Sequence, residues 1–140
     1  MNDFAQLAKI KNGKVEELRR ELQAAQSELM KRENALNLLS VEFAAMVEPE
    51  SGAFGDLAIA SEKRGVYRRE IDAARKEIFT AHQKVFQIRF LLKKALVEYE
   101  KINHLDREEK AFAAIAAKKS EDKRLDDAAI NARYILRSAE

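Results

Sequence analysis

The chain has 140 residues, 36% of them charged and only 7% aromatic, with four Gly, one Pro, no Cys and no Trp. That length suits one ordinary domain, and the scarcity of turn formers excludes a sheet, which needs Gly, Pro, Asn and Asp between short β-branched runs. The 26 basic and 24 acidic side chains leave a formal charge of +2, too little for strong attraction to nucleic acid or an acidic membrane, and the absence of Cys excludes disulfides and thiolate metal sites.

The start, Met1 to Lys14, is polar with scattered Lys and lacks the apolar core of a secretory signal. No stretch approaches the roughly 18 apolar residues of a membrane span, so a soluble, cytoplasmic protein without direct membrane insertion is expected. Counting from the N-terminus in alternating steps of three and four gives Met1, Phe4, Ala8, Lys11, Val15, Leu18, Leu22, Ala25, Leu29, Arg32, Leu36, Leu39, Phe43 and Met46, of which twelve are apolar. A repeat sustained over that distance predicts a coiled-coil helix over about 3–47.

The only Pro and two of the four Gly fall between Glu48 and Gly55. Because the residue before Pro disfavours the α region, the first helix is expected to stop near Val47 and a turn to occupy 48–56. Asp56 is placed to cap a restart at Leu57, and Gly65 weakens the helix that follows by about 1 kcal/mol. Residues Asp56 to Gly65 therefore read either as a short separate element or as the beginning of the second helix, taken here as about 57–138.

From Tyr67 the same count gives Ile71, Ala74, Ile78, Ala81, Val85, Ile88, Leu92, Ala95, Tyr99 and Ile102 with no polar interruption. If this seam folds back on the first, with Met46 facing Tyr67, the numbers of paired positions total about 113. That register pairs Ile102, where the apolar repeat ends, with Lys11, the first break in the other seam. It also sets Arg32 against Ala81, whose small side chain leaves the Arg stem room to run along the seam and carry its charge out to water. The expected fold is all-α: one elongated, antiparallel two-helix coiled-coil hairpin.

Met1 then lies opposite about Phe112, and everything beyond overshoots as a lone helix on the order of 40 Å long. This tail carries a charged block from Lys118 to Arg124 and a weak stripe of Leu125, Ala129, Ala132 and Leu136, with Ile130, Tyr134 and Ile135 elsewhere around it. Such a helix buries little within its own chain, so it either frays or meets a partner.

A second apolar stripe, Phe79, Phe86, Phe90 and Val97, occupies outward positions of the second helix. Exposed, it would leave several large side chains unburied, each worth about 1.5–3 kcal/mol when fully buried. Either another part of the chain or a second copy covers it, or it docks a partner. Around it, Arg75, Lys76, Lys84, Arg89, Lys93 and Lys94 face a single acid, Glu77. These read as a solvated helix face or as complement to an acidic partner; no nucleic-acid motif accompanies them.

His82 and His104 are far apart, no phosphate-binding glycine loop is present, and no Ser has the context of a nucleophile. The acid pairs Glu16-Glu17, Glu108-Glu109 and Asp126-Asp127 are sequence neighbours, whose side chains diverge on a helix. No catalytic residue, cofactor site or metal site is expected, and no enzymatic activity.

Total length, a hairpin with a shorter N-terminal arm, and the charged run from Glu121 to Asp127 leading into the Ala-rich run from Ala128 to Tyr134 together resemble the FliJ family of flagellar type III export proteins. The resemblance covers nearly the whole chain and extends to stalk proteins of virulence secretion systems. It implies a non-enzymatic stalk, similar to the two-helix shaft of rotary ATPase γ subunits, that inserts its terminal helices into the export ATPase hexamer. It further implies contact with the cytoplasmic domain of the membrane export gate, escort of substrate chaperones, and a place at the cytoplasmic face of the inner-membrane export apparatus.

Carried onto this chain, the ring-inserted end corresponds to Phe4, Leu7 and Ile10 with Leu125, Tyr134 and Leu136. The family's gate-binding patch runs aromatic, aliphatic, small and then His; here it matches Tyr67, Ile71 and Ala74, but the fourth position is Ile78. Since those residues are also seam positions, Phe79, Phe86, Phe90 and Val97 are the further candidates for the gate contact. The rival expectation is a stand-alone coiled-coil chaperone or adaptor that dimerises through the outer stripe.

Overall fold

The computed structural model describes residues 3–46 and 54–139. Two helices, α1 (Asp3–Ala44) and α2 (Phe54–Ala139), account for nearly all of them, and no strand occurs among the described residues. The all-α class and the pairing of two long helices hold as expected. By packing, the described residues form two compact units, 14–46 with 54–95 and 3–13 with 96–139.

In the first unit the heptad count is the burial pattern. Val15, Leu18 and Ala25 of α1 and Ile71, Val85 and Ile88 of α2 are buried, and the other seam positions apart from Arg32 are half-buried. Ala25, Val85 and Ile88 form one cluster against which Leu22 and Leu29 pack. A two-helix layer shields only one stripe per helix, so most seam residues keep some access to water.

Three cross-helix contacts fix the antiparallel sense. The Tyr67 hydroxyl donates to Glu42 Oε2 at 3.4 Å, Arg32 Nη1 donates to Glu77 Oε2 at 2.6 Å, and His82 Nε2 lies 3.4 Å from Glu33 Oε1. Tyr67 also packs on Phe43, ring centroids 6.3 Å apart, one turn from the expected contact with Met46. The observed partners thus lie within about one turn of the register read from the sequence. Knobs seat between residues of the facing helix rather than directly opposite one of them, which accounts for the offset.

Arg32 behaves as the seam reading requires, with one addition. It is the one exposed member of its seam among the described residues, beside half-buried Ala81, and its guanidinium bridges Glu28 of its own helix and Glu77 of α2. Pairs this exposed contribute about 0.2–1 kcal/mol and weaken with salt.

The turn differs from expectation. The Met46 amide donates to the carbonyl of Phe43, tightening the chain just after α1 ends at Ala44. The second helix begins at Phe54, so Gly55 and Asp56 are helical rather than part of a turn over 48–56. Asp56 sits inside the first turn of α2, where its charge complements the helix N-terminus. Residues 56–65 are the start of the long helix and not a separate element. Val47 and the Pro49 turn fall outside the described residues.

In the second unit, Ala8 is buried and Phe4 and Lys11 are half-buried, on the α1 repeat. Lys11 Nζ pairs with Glu98 Oε2 at 3.2 Å, one turn from the expected partner Ile102. The α2 seam does not end at Ile102: the next step of four lands on Asp106, which is 6% exposed and pairs with Lys110 Nζ at 3.0 Å. An apolar count stops at a carboxylate, although the backbone repeat continues. From residue 107 to 139 every residue is helical and exposed, as an overshooting arm requires; the expected pairing of Met1 with Phe112 lies outside the described residues.

Replacing Leu92 with Asp places a charge in the seam and should cost about 3 kcal/mol or more, read as a large fall in melting temperature. Phe90→Ser, two residues away on the exposed face, should change stability by only about 0.5 kcal/mol; equal losses would refute the assignment of faces. A Cβ added at Gly13 or Gly65 meets nothing within 4 Å. Each Gly→Ala change should therefore stabilise the chain by about 0.5–1 kcal/mol in thermal or urea unfolding, and destabilisation by either would contradict an uninterrupted helix at that position.

Candidate partner-binding surfaces

The outer face of α2 is built by helical spacing alone. With the seam at positions a and d, Phe79 and Phe86 fall at b and Phe90 at f, on the side turned from α1. Their exposures are 63%, 76% and 63%. Among the described residues, neither 56–65 nor another segment folds over them. Val97, in the other unit, is also exposed. A shallow depression beside Phe86 is lined by that ring with His82, Gln83 and Gln87.

The charges around this face are unevenly paired. Arg75 approaches Asp72 at 4.0 Å and Glu77 is turned to Arg32. Lys76, Arg89, Lys93 and Lys94 have no ion pair among the described residues, so the face is positive as well as aromatic.

The three residues matched to the family patch lie elsewhere. Ile71 is buried, and Tyr67 and Ala74 are half-buried in the seam. The Glu42 carboxylate, together with partial desolvation, raises the Tyr67 phenol above its ordinary 10.0. Tyr67 and Ile71 spend their apolar surface on α1, which leaves Phe79, Phe86 and Phe90 as the larger open surface on this unit.

The terminal candidates are mostly open. Ile10, Leu125, Tyr134 and Leu136 are exposed, Leu7 less so, and Phe4 is half-buried. Phe112, Ile115, Ile130 and Ile135 are exposed beside them on the same arm. On a helical projection, Phe112, Ile115, Ile130 and Tyr134 form one face, while Leu125, Ala129, Ala132 and Leu136 form another. The sequence stripe captured only the second. An arm apolar on two sides suits an environment that surrounds it better than one flat partner.

The remaining chemistry is sparse. His104 pairs with Glu108 one turn on, and no cluster of three metal-ligating side chains occurs among the described residues. A trough floored by Ala24, Ala25, Ala81 and Ile88 runs along the helix pair and is open to water. No helix among the described residues is long and apolar enough to cross a membrane.

Comparison with known proteins adds one finding. The family model described as flagellar FliJ protein matches residues 1–137. No curated protein and no solved structure matches the chain. A match over nearly the full length, on two antiparallel helices with an exposed C-terminal arm, means that the chain belongs to the FliJ family, with a role related to flagellar protein export.

Proposed function

We propose that this chain is the stalk of the flagellar type III export apparatus, coupling the export ATPase to the membrane export gate without contributing a catalytic group. The observation that carries the proposal is the arm from residue 107 to 139, continuous as helix and exposed throughout, with Phe112, Ile115, Leu125, Ile130, Tyr134 and Leu136 unburied. An amphipathic helix of this length gains stability chiefly by packing. A ring of ATPase subunits would surround the arm, and Phe4, Leu7 and Ile10 would enter beside its base. The gate's cytoplasmic domain would meet Phe79, Phe86 and Phe90, and substrate chaperones would be carried on the same assembly.

In this mechanism the protein works by resisting deformation. A conformational change in the ring pushes on the arm, and a close-packed seam passes the displacement on because bending it breaks many side-chain contacts at once. The stand-alone adaptor that dimerises through the outer stripe is disfavoured by one observation: Lys76, Arg89, Lys93 and Lys94 flank that stripe without acidic partners. Two such faces brought together would repel.

The hydrolysis rate of the export ATPase should rise severalfold on adding the full chain and return to its basal value with a truncation ending at Phe112. An unchanged rate at saturating full-length protein would refute the stalk reading. By light scattering the protein alone should be a monomer, whereas a stable dimer that Phe86→Ser with Phe90→Ser dissociates would establish the adaptor instead.

A further inference from the structure

The cations on the outer face of α2 are set apart by local composition, since residues 75–94 carry six Lys or Arg and one acid, Glu77. Several others near the helix pair are answered by acids: Arg32 by Glu28 and Glu77, Lys14 by Glu17, Arg19 by Glu16. On the outer face of α2, Lys76, Arg89, Lys93 and Lys94 are not answered by any described acid. Each stands three or four residues from a phenylalanine, which on a helix makes them neighbours: Lys76 of Phe79, Arg89 of Phe86, Lys93 and Lys94 of Phe90.

We propose that Phe79, Phe86 and Phe90 with Lys76, Arg89, Lys93 and Lys94 form a docking face for an acidic amphipathic helix of a partner protein. The proposal rests on the reading of this face as the gate contact and adds the chemistry of the segment it receives. Three rings at i, i+7 and i+11 on one helix match the spacing of apolar residues on a second helix laid alongside. The shallow depression lined by His82, Gln83, Phe86 and Gln87 gives one incoming apolar side chain a place beside the Phe86 ring. Acids on either side of that apolar row would meet the four cations as the rings lose water, and ion pairs beside a desolvated apolar contact are less screened than open ones.

Two other occupants fit less well. A second copy of this chain would bring the same cations against themselves. Nucleic acid would use the charge, but bases stack on aromatic platforms, and here the rings follow a helical row with Gln83 and Gln87 between them.

The test titrates the full chain into labelled helical peptides of about 20 residues carrying Leu at the i, i+7, i+11 spacing, one flanked by Glu and one by Lys, with anisotropy as the readout. The acidic peptide should bind, more weakly as salt rises. It should lose about tenfold or more with Phe86→Ser plus Phe90→Ser, and again with Lys93→Glu plus Lys94→Glu, both variants keeping the parent's helicity. Equal binding of the two peptides, or acidic-peptide binding unaffected by the phenylalanine variant, would overturn the proposal. So would a single-stranded oligonucleotide that displaces the acidic peptide and depends on the same phenylalanines. The gate domain separates the two readings. Acidic-peptide binding without gate binding keeps this proposal and sinks the gate assignment, whereas gate binding through the phenylalanines without acidic-peptide binding does the reverse.

Discussion

Two helices with one apolar stripe each can hide those stripes only on one another, and the rest of this structure follows from that constraint. The seam through Val15, Leu18, Ala25, Ile71, Val85 and Ile88 uses the burial available to the first unit. With no third layer among the described residues, Phe79, Phe86 and Phe90 on the far face stay in water. Fully burying a large apolar side chain is worth about 1.5–3 kcal/mol, so Phe79, Phe86 and Phe90 represent unrealised stability that folding alone gives no reason to carry. Their retention on a face with unanswered cations is the basis for reading it as a surface for others.

The second unit extends the logic to the C-terminal arm. Beyond Asp106 the burial pattern ends, yet the helix continues to Ala139. A buried carboxylate at the last seam step is costly unless paired, and Lys110 supplies a pair within one turn. Its place at the end of the seam suits a boundary marker: an apolar residue there would extend the seam, whereas a carboxylate stops it. Past that point the arm carries apolar residues on two faces.

Much of the fold was legible in the sequence because a 3.5-residue repeat is a direct record of burial. Every described seam position identified by counting, apart from Arg32, is buried or half-buried. The register came out within a turn, since interdigitated side chains seat between positions. Asp106 was missed because an apolar count cannot follow a seam through a carboxylate. The start of α2 was placed three residues late because Gly55 and Asp56 have the composition of a turn, while the geometry extends the helix through them. The outer phenylalanines were legible as misfits, and their exposure confirms that placement. What they meet was not legible, since a free face records only the chemistry of its missing partner.

The proposal that the export ATPase covers the exposed arm after Asp106 is tested most directly by hydrogen exchange resolved by residue. Alone, amides from 107 to 139 should exchange much faster than those of the seam between Ile71 and Ile102. With the export ATPase present, the arm should become protected while the seam stays unchanged. Slow exchange of the arm in the isolated protein, or an arm left unprotected by saturating ATPase, would contradict the account.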